Sequence, residues 1–186
     1  MIDGARLSRL LDKQEICETL YRFARGIDRL DADLVAAAFH EDAVDDHGPF
    51  KGCRDDFVNW SMGILAGYGM THHRLGNVLI DFIEPDVAHC ETLLLAMHTH
   101  PADGYDDLVF ARYIDRFDRR DGAWKIGKRQ VLIDYSTRIV VTAPYEDVGQ
   151  YLTGRRDRAD ACYWPEHQTN ATRSPLNTSP SKKAGD

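Results

Sequence analysis

The chain has 186 residues, 43% of them hydrophobic, and a formal net charge of -7. That length supports one domain with a real core. An acidic balance without clustered Lys or Arg argues against nucleic acid as a partner, and no apolar run approaches the roughly 20 residues a membrane helix needs. Residues 6–29 read as one helix, with Leu7, Leu10, Leu11, Cys17, Leu20, Ala24 and Ile27 at helical spacing. Asp31 is placed as the N-cap of a second helix, DADLVAAAF, whose apolar stripe is Leu34, Ala37 and Ala38. HEDAVDDHGPFKG is turn-rich, with a short strand near Ala43–Asp45, and it leaves His40 and His47 in a loop. RDDFVNWSMGILAG is a third helix offering Phe57, Trp60, Met62, Ile64 and Leu65 for burial.

Residues 72–83, 87–99, 108–118 and 123–137 then read as long strands. They are broken at Glu84–Asp86, at PADGYDD, and at Asp121–Gly122, a D-G hairpin turn. Helices followed by hairpin-linked strands predict an α+β fold with helices on one face of an antiparallel sheet. Without βαβ units or a glycine-rich phosphate loop, no nucleotide cofactor is expected. The domain is drawn over residues 1–152, and residues 153–186 form a polar extension rich in Ser, Thr, Pro and Asn that is expected to be partly disordered. Within it Tyr163 and Trp164 are expected to dock on the body or on a neighbouring subunit.

The charged N-terminus lacks the apolar stretch of a signal peptide. Cys17, Cys53, Cys90 and Cys162 are scattered, with no C-x-x-C, and read as reduced thiols of a cytoplasmic protein. His98 and His100 form an H-x-H that reads as exposed strand-end histidines, and no metal site is expected.

Asp28 lies four residues after Ala24 and eight after Leu20, on or beside the buried stripe of the first helix. A carboxylate there needs a partner. It either caps the next helix or pairs with an arginine, or it lines an internal pocket and holds a histidine. THHRLGN, residues 71–77, offers two adjacent histidines whose side chains point to opposite faces of a strand. Alternation alone does not choose between His72 and His73, because neither face is decisively apolar. In the last strand Arg129 shares a largely apolar face with Gly127, Val131, Ile133 and Tyr135. A half-buried arginine there calls for an anionic partner or ligand. Tyr113 lies on a pocket-compatible face with Val109, Ala111 and Phe117.

The GID that ends the first helix, THHRLGN, AHCETLLLA and YIDRFDRRDGAWKIGKRQVLIDYST together resemble a SnoaL-like protein of the nuclear transport factor 2-like superfamily, over residues 6–160. The resemblance implies a cone: a strongly curved antiparallel sheet wrapped around helices, with a deep apolar pocket. Lyase members such as scytalone dehydratase, bile acid 7α-dehydratase and hexachlorocyclohexane dehydrochlorinase use an Asp–His pair without a cofactor. By motif the Asp falls on Asp28 and the His on His73, and the dehydrochlorinase's arginine falls on Arg129. The tyrosine or lysine that related lyases carry five residues before the Asp is Phe23 here, so Tyr113 or Tyr21 would have to supply a phenol. Phe23, Trp60, Val131 and Tyr135 would contact a cyclic, mostly apolar substrate. The implied function is a lyase or isomerase without cofactor, working as a homotrimer or homodimer. The alternatives are a structural small subunit of a ring-hydroxylating dioxygenase and a small-ligand binding protein.

Overall fold

A computed structural model describes residues 3–100, 102–141, 151 and 153–163. Helix α1 spans Gly4–Arg29 and α2 spans Ala32–Ala37, followed by strands β1 (Phe39–Asp46) and β2 (Lys51–Cys53) and helix α3 (Arg54–Leu65). Four long strands follow: β3 (Thr71–Glu84), β4 (Val87–His100), β5 (Tyr105–Arg120) and β6 (Ala123–Val140). They build one curved six-stranded sheet in the order β2-β1-β6-β5-β4-β3. This is the α+β architecture the element order predicts. Only the β1–β6 pairing is parallel. No hairpin joins those two strands, so nothing forces them to run in opposite directions. Among the described residues no helix is long and apolar enough to cross a membrane.

Asp3 caps α1 by accepting a hydrogen bond from the Ala5 N–H at 3.1 Å. The buried face of α1 starts at Asp12 and continues through Ile16, Thr19, Leu20, Phe23, Ala24, Ile27 and Asp28. Leu7, Leu10 and Leu11, assigned to the core by spacing, are instead 45%, 62% and 62% exposed. At that end the sheet-facing side of the helix is taken by Arg9, whose guanidinium lies 4.0 Å over the Phe82 ring of β3, and by Asp12, which pairs with Arg119 at 3.1 Å. Trp124, Phe117 and Ile126 close the core there, with the indole N–H donating to Asp12 at 3.0 Å. Full burial of each such side chain contributes about 1.5–3 kcal/mol.

At the other end α1 stops abruptly. Leu30 takes a left-handed conformation, φ 53°, and the Asp31 N–H returns to the Gly26 carbonyl at 2.9 Å. A Cβ on Gly26 would lie 2.8 Å from a Val35 methyl. Glycine is therefore what lets α2 fold back against α1 immediately after Asp28. Asp31 does cap α2, accepting from the Leu34 N–H at 3.2 Å.

Among the described residues five register shifts interrupt simple alternation, one in β1, two in β3 and two in β6. Leu75 faces Leu94 while Val78 faces Thr92, so β3 carries one extra residue across Gly76–Asn77. Before it Thr71, His73 and Leu75 point to the concave side; after it Val78, Ile80 and Phe82 do. The two mixed faces seen in the sequence are thus one buried face that changes parity midway. In β6, Phe110 faces Tyr135 while Ala111 faces Ile133, which leaves Asp134 as an extra residue. Gly127 is the extra residue of a third bulge, between the pairs Arg116–Lys128 and Phe117–Ile126.

The described part of the C-terminal extension is not loose. Arg156 donates to the main-chain carbonyls of Leu65 at 2.7 Å, Tyr68 at 2.9 Å and Asp28 at 3.3 Å. Tyr163 donates to Asp31 at 2.7 Å and stacks under Arg25, so it docks on the body as expected. Trp164 and the rest of the polar extension lie outside the described residues. Arg156→Ala should destabilise the fold by about 2 kcal/mol, since it leaves several carbonyls without their charged donor. Urea denaturation would read this as a lower midpoint at unchanged slope.

Candidate active site

The tight α1–α2 turn fixes Asp28 beneath the start of β3. Its carboxylate accepts from the His73 Nδ1 at 2.7 Å, from the His73 main-chain N–H at 2.9 Å and from the Thr71 hydroxyl at 3.1 Å. Burial alone would raise the Asp28 pKa; the His73 ring, the His73 N–H and the Thr71 hydroxyl outweigh it and hold the group below the usual carboxylate range. Arg156 adds a hydrogen bond to the Thr71 hydroxyl at 3.3 Å, which steadies the donor side of this network. His73 faces inward and its neighbour His72 is exposed. Asp28 therefore holds a histidine. Arg156 reaches its main-chain carbonyl only.

With Nδ1 held, the His73 Nε2 has no hydrogen-bond partner among the described residues. The ring lines a cavity of about 320 Å³ whose walls include Phe23, Trp60, Leu94, Tyr113 and Val131. That volume lies at the small end of ligand pockets, roughly 300–1,000 Å³. The phenol of Tyr113 is likewise unpartnered among the described residues, and burial raises its pKa so that it stays protonated.

Three sequence expectations need correction. Tyr21 is 53% exposed and its hydroxyl is engaged near Cys17, outside the cavity. Tyr135 is 60% exposed and packs on Phe110 at 5.8 Å, on the convex side. The bulge at Asp134 turned it there; alternation without a bulge would have kept it with Val131. Arg129 is fully buried but does not line the cavity. It makes a bidentate pair with Asp115 at 2.8 and 2.7 Å, behind the rings of Phe23 and Tyr113 at 4.2 and 3.9 Å. Burial works against its charge, but Asp115 more than compensates and raises its pKa. The anionic partner expected for it is a protein carboxylate.

Two residues escaped the sequence reading. His98 is not an exposed strand-end residue: it lines the cavity, its ring 5.4 Å from His73 and 4.8 Å from Tyr68. Its alternation with Leu94 and Ala96 on β4 was the available signal. Burial, and then the nearby His73, lower its pKa to about 4, so it is neutral at pH 7. An unfolded histidine takes a proton near pH 6.5, so acidification favours the unfolded chain. The stability contributed by neutral His98 is complete above about pH 6.5 and falls away as pH drops toward about 4. Thermal melts of His98→Gln should therefore lose less stability over that window than wild type. The second residue is His47, placed in a loop by sequence and lining the same cavity in the structure.

A curved sheet over helices, with an Asp–His pair at the wall of an apolar cavity, defines a cone-fold α+β domain. The chain belongs to the SnoaL-like domain family, whose profile matches residues 8–130. A scytalone dehydratase-like protein of Novosphingobium aromaticivorans is similar in structure, with TM-score 0.65 and 26% identity over 73% of this chain and 92% of that one. Hexachlorocyclohexane dehydrochlorinase LinA type 2 gives TM-score 0.67 and 23% identity over 76% and 99% of the two chains. An aromatic ring hydroxylase-like protein of Novosphingobium aromaticivorans gives 0.64 and 22% over 70% and 94%. At those two identities the likeness establishes the shared fold. No curated protein sequence matches significantly.

Proposed function

We propose that this protein is a cofactor-independent lyase or isomerase that removes a proton from carbon in a cyclic, mostly apolar small molecule. One observation carries the reading: an imidazole held at Nδ1 by a buried carboxylate presents its other nitrogen on the wall of an apolar cavity. The carboxylate fixes the tautomer and stabilises the imidazolium that forms. Neutral His98 and the protonated phenol of Tyr113 sit on the same cavity wall and can donate to a developing enolate or leaving oxygen. Phe23 and Trp60 favour a flat ring. The scytalone dehydratase-like neighbour supports an elimination.

A structural-subunit role is the second reading, favoured by the ring hydroxylase-like neighbour. A scaffold has no use for a buried Asp–His pair, which weighs against it. A homo-oligomer belongs to the proposal too. Leu79, Leu93, Phe110, Tyr135 and Ile139 form an exposed apolar set on the convex face, which supports it.

The test needs no knowledge of the natural substrate. In D2O, NMR follows exchange of the α-protons of 1-indanone, a bicyclic ketone. The wild type should accelerate exchange above the buffer rate, and His73→Gln should return it to that rate. If 1-indanone binds and the wild type gives no acceleration, the base assignment fails and the subunit or binding reading leads.

A further inference from the structure

The cavity contains a second Asp–His pair. His47 follows β1 directly, and its Nδ1 hydrogen-bonds the carboxylate of Asp45, which is fully buried. The ring stacks on Phe57 at 4.8 Å and lies 5.8 Å from Trp60 and 6.4 Å from Tyr113. Its Nε2 has no partner among the described residues. The pair is built into the sheet, because Asp45 stands in register with Arg129, which is itself fixed by Asp115. Such anchoring holds the ring in one orientation.

The two pairs come from opposite flanks. β1 and β3 are separated in the sheet by β6, β5 and β4. The wall between them is apolar, made by Leu94, Ala96, Val109, Ala111, Val131 and Ile133. An occupant lying along that wall meets an imidazole nitrogen at each end, with His98 beside His73 and the phenol ring of Tyr113 beside His47. A hydroxyl suits His47 in either protonation state, since it can both donate and accept.

We infer that Asp45–His47 is a second oxygen-binding end of this cavity, and that the protein takes flat ring compounds carrying an oxygen function at both ends. The inference rests on the proposed role of His73 as the base; the first oxygen is the one that activates the carbon acid, and His98, beside His73, is placed to hold it. His47 then acts as the specificity-determining contact for the second, a hydroxyl on the far side of the ring.

The test compares 1-indanone with 5-hydroxy-1-indanone, which adds a hydroxyl across the bicycle from the carbonyl. Dissociation constants come from quenching of tryptophan fluorescence. The wild type should prefer the hydroxylated probe by about tenfold, the size of one hydrogen bond to a charge-supported group. His47→Leu should erase that preference, and His47→Gln, which keeps an N–H donor, should restore part of it. No preference in the wild type, or one that survives His47→Leu, overturns the inference. If His47→Leu does not fold, His47→Gln decides: a preference as large as that of wild type counts against the subsite. Failure of the His73 reading shows separately, as absent α-proton exchange on 1-indanone while the hydroxyl preference persists.

Discussion

Asp28→Asn should slow α-proton exchange by about 10²–10⁴-fold, the contribution typical of a positioned general base. The carboxylate does two things for His73. It holds the proton on Nδ1, which leaves Nε2 free to accept, and it places a negative charge beside the imidazolium as that forms. An amide can turn its NH2 toward the ring and favour the opposite tautomer, and it carries no charge. The variant should still fold, because with the NH2 facing the ring the amide oxygen keeps the bond from the His73 N–H, and the Thr71 hydroxyl can accept from the NH2 instead of donating. Circular dichroism checks that, and NMR exchange gives the rate. The acid limb offers an independent check. The Asp28 pKa is depressed in the folded protein, so its stabilisation is present above the unfolded value near pH 4 and is lost as pH falls through the folded value. Asp28→Asn should remove that part of the acid sensitivity.

Arg129→Met should cost about 3–5 kcal/mol of stability, the penalty for breaking a buried ion pair from one side. Arg129 and Asp115 are both without solvent exposure in their side chains. Removing the guanidinium strands the Asp115 carboxylate and takes a positive charge away from Asp45, its register partner on β1, whose Oδ2 already lacks a partner among the described residues. The cation–π contacts of the guanidinium with the Phe23 and Tyr113 rings are lost as well. The double variant Arg129→Met with Asp115→Leu should recover most of the loss, because an apolar pair of similar volume leaves no uncompensated charge. Urea denaturation measures both. The resemblance to the dehydrochlorinase assigns Arg129 to the developing negative charge of the reaction. If the double variant folds and still exchanges α-protons, Arg129 is a support of the cavity wall instead. A folded double variant without exchange would return it to the chemistry.

The elements were legible in the sequence because hydrophobic period and turn chemistry are local. The Asp121–Gly122 hairpin, the Asp31 cap and the four long strands needed no partner to be recognised. The family was legible because its motifs are contiguous, and with them came the pairing of Asp28 with His73. Helix spacing alone left Asp28 between a cap, an arginine and a histidine.

The faces of the strands were decided only in three dimensions. A bulge is one added residue, and it reverses every side chain beyond it. Across Gly76–Asn77 that reversal hid the buried face of β3, and at Asp134 it carried Tyr135 out of the cavity. Burial decided the rest. Whether Arg129 meets a ligand or Asp115 depends on which carboxylate the neighbouring strand brings opposite it. Whether His47 and His98 are solvent groups or cavity groups depends on where the curved sheet closes over α3. Neither is encoded at short range: spacing along a chain fixes the direction of a side chain, and only packing fixes what it meets.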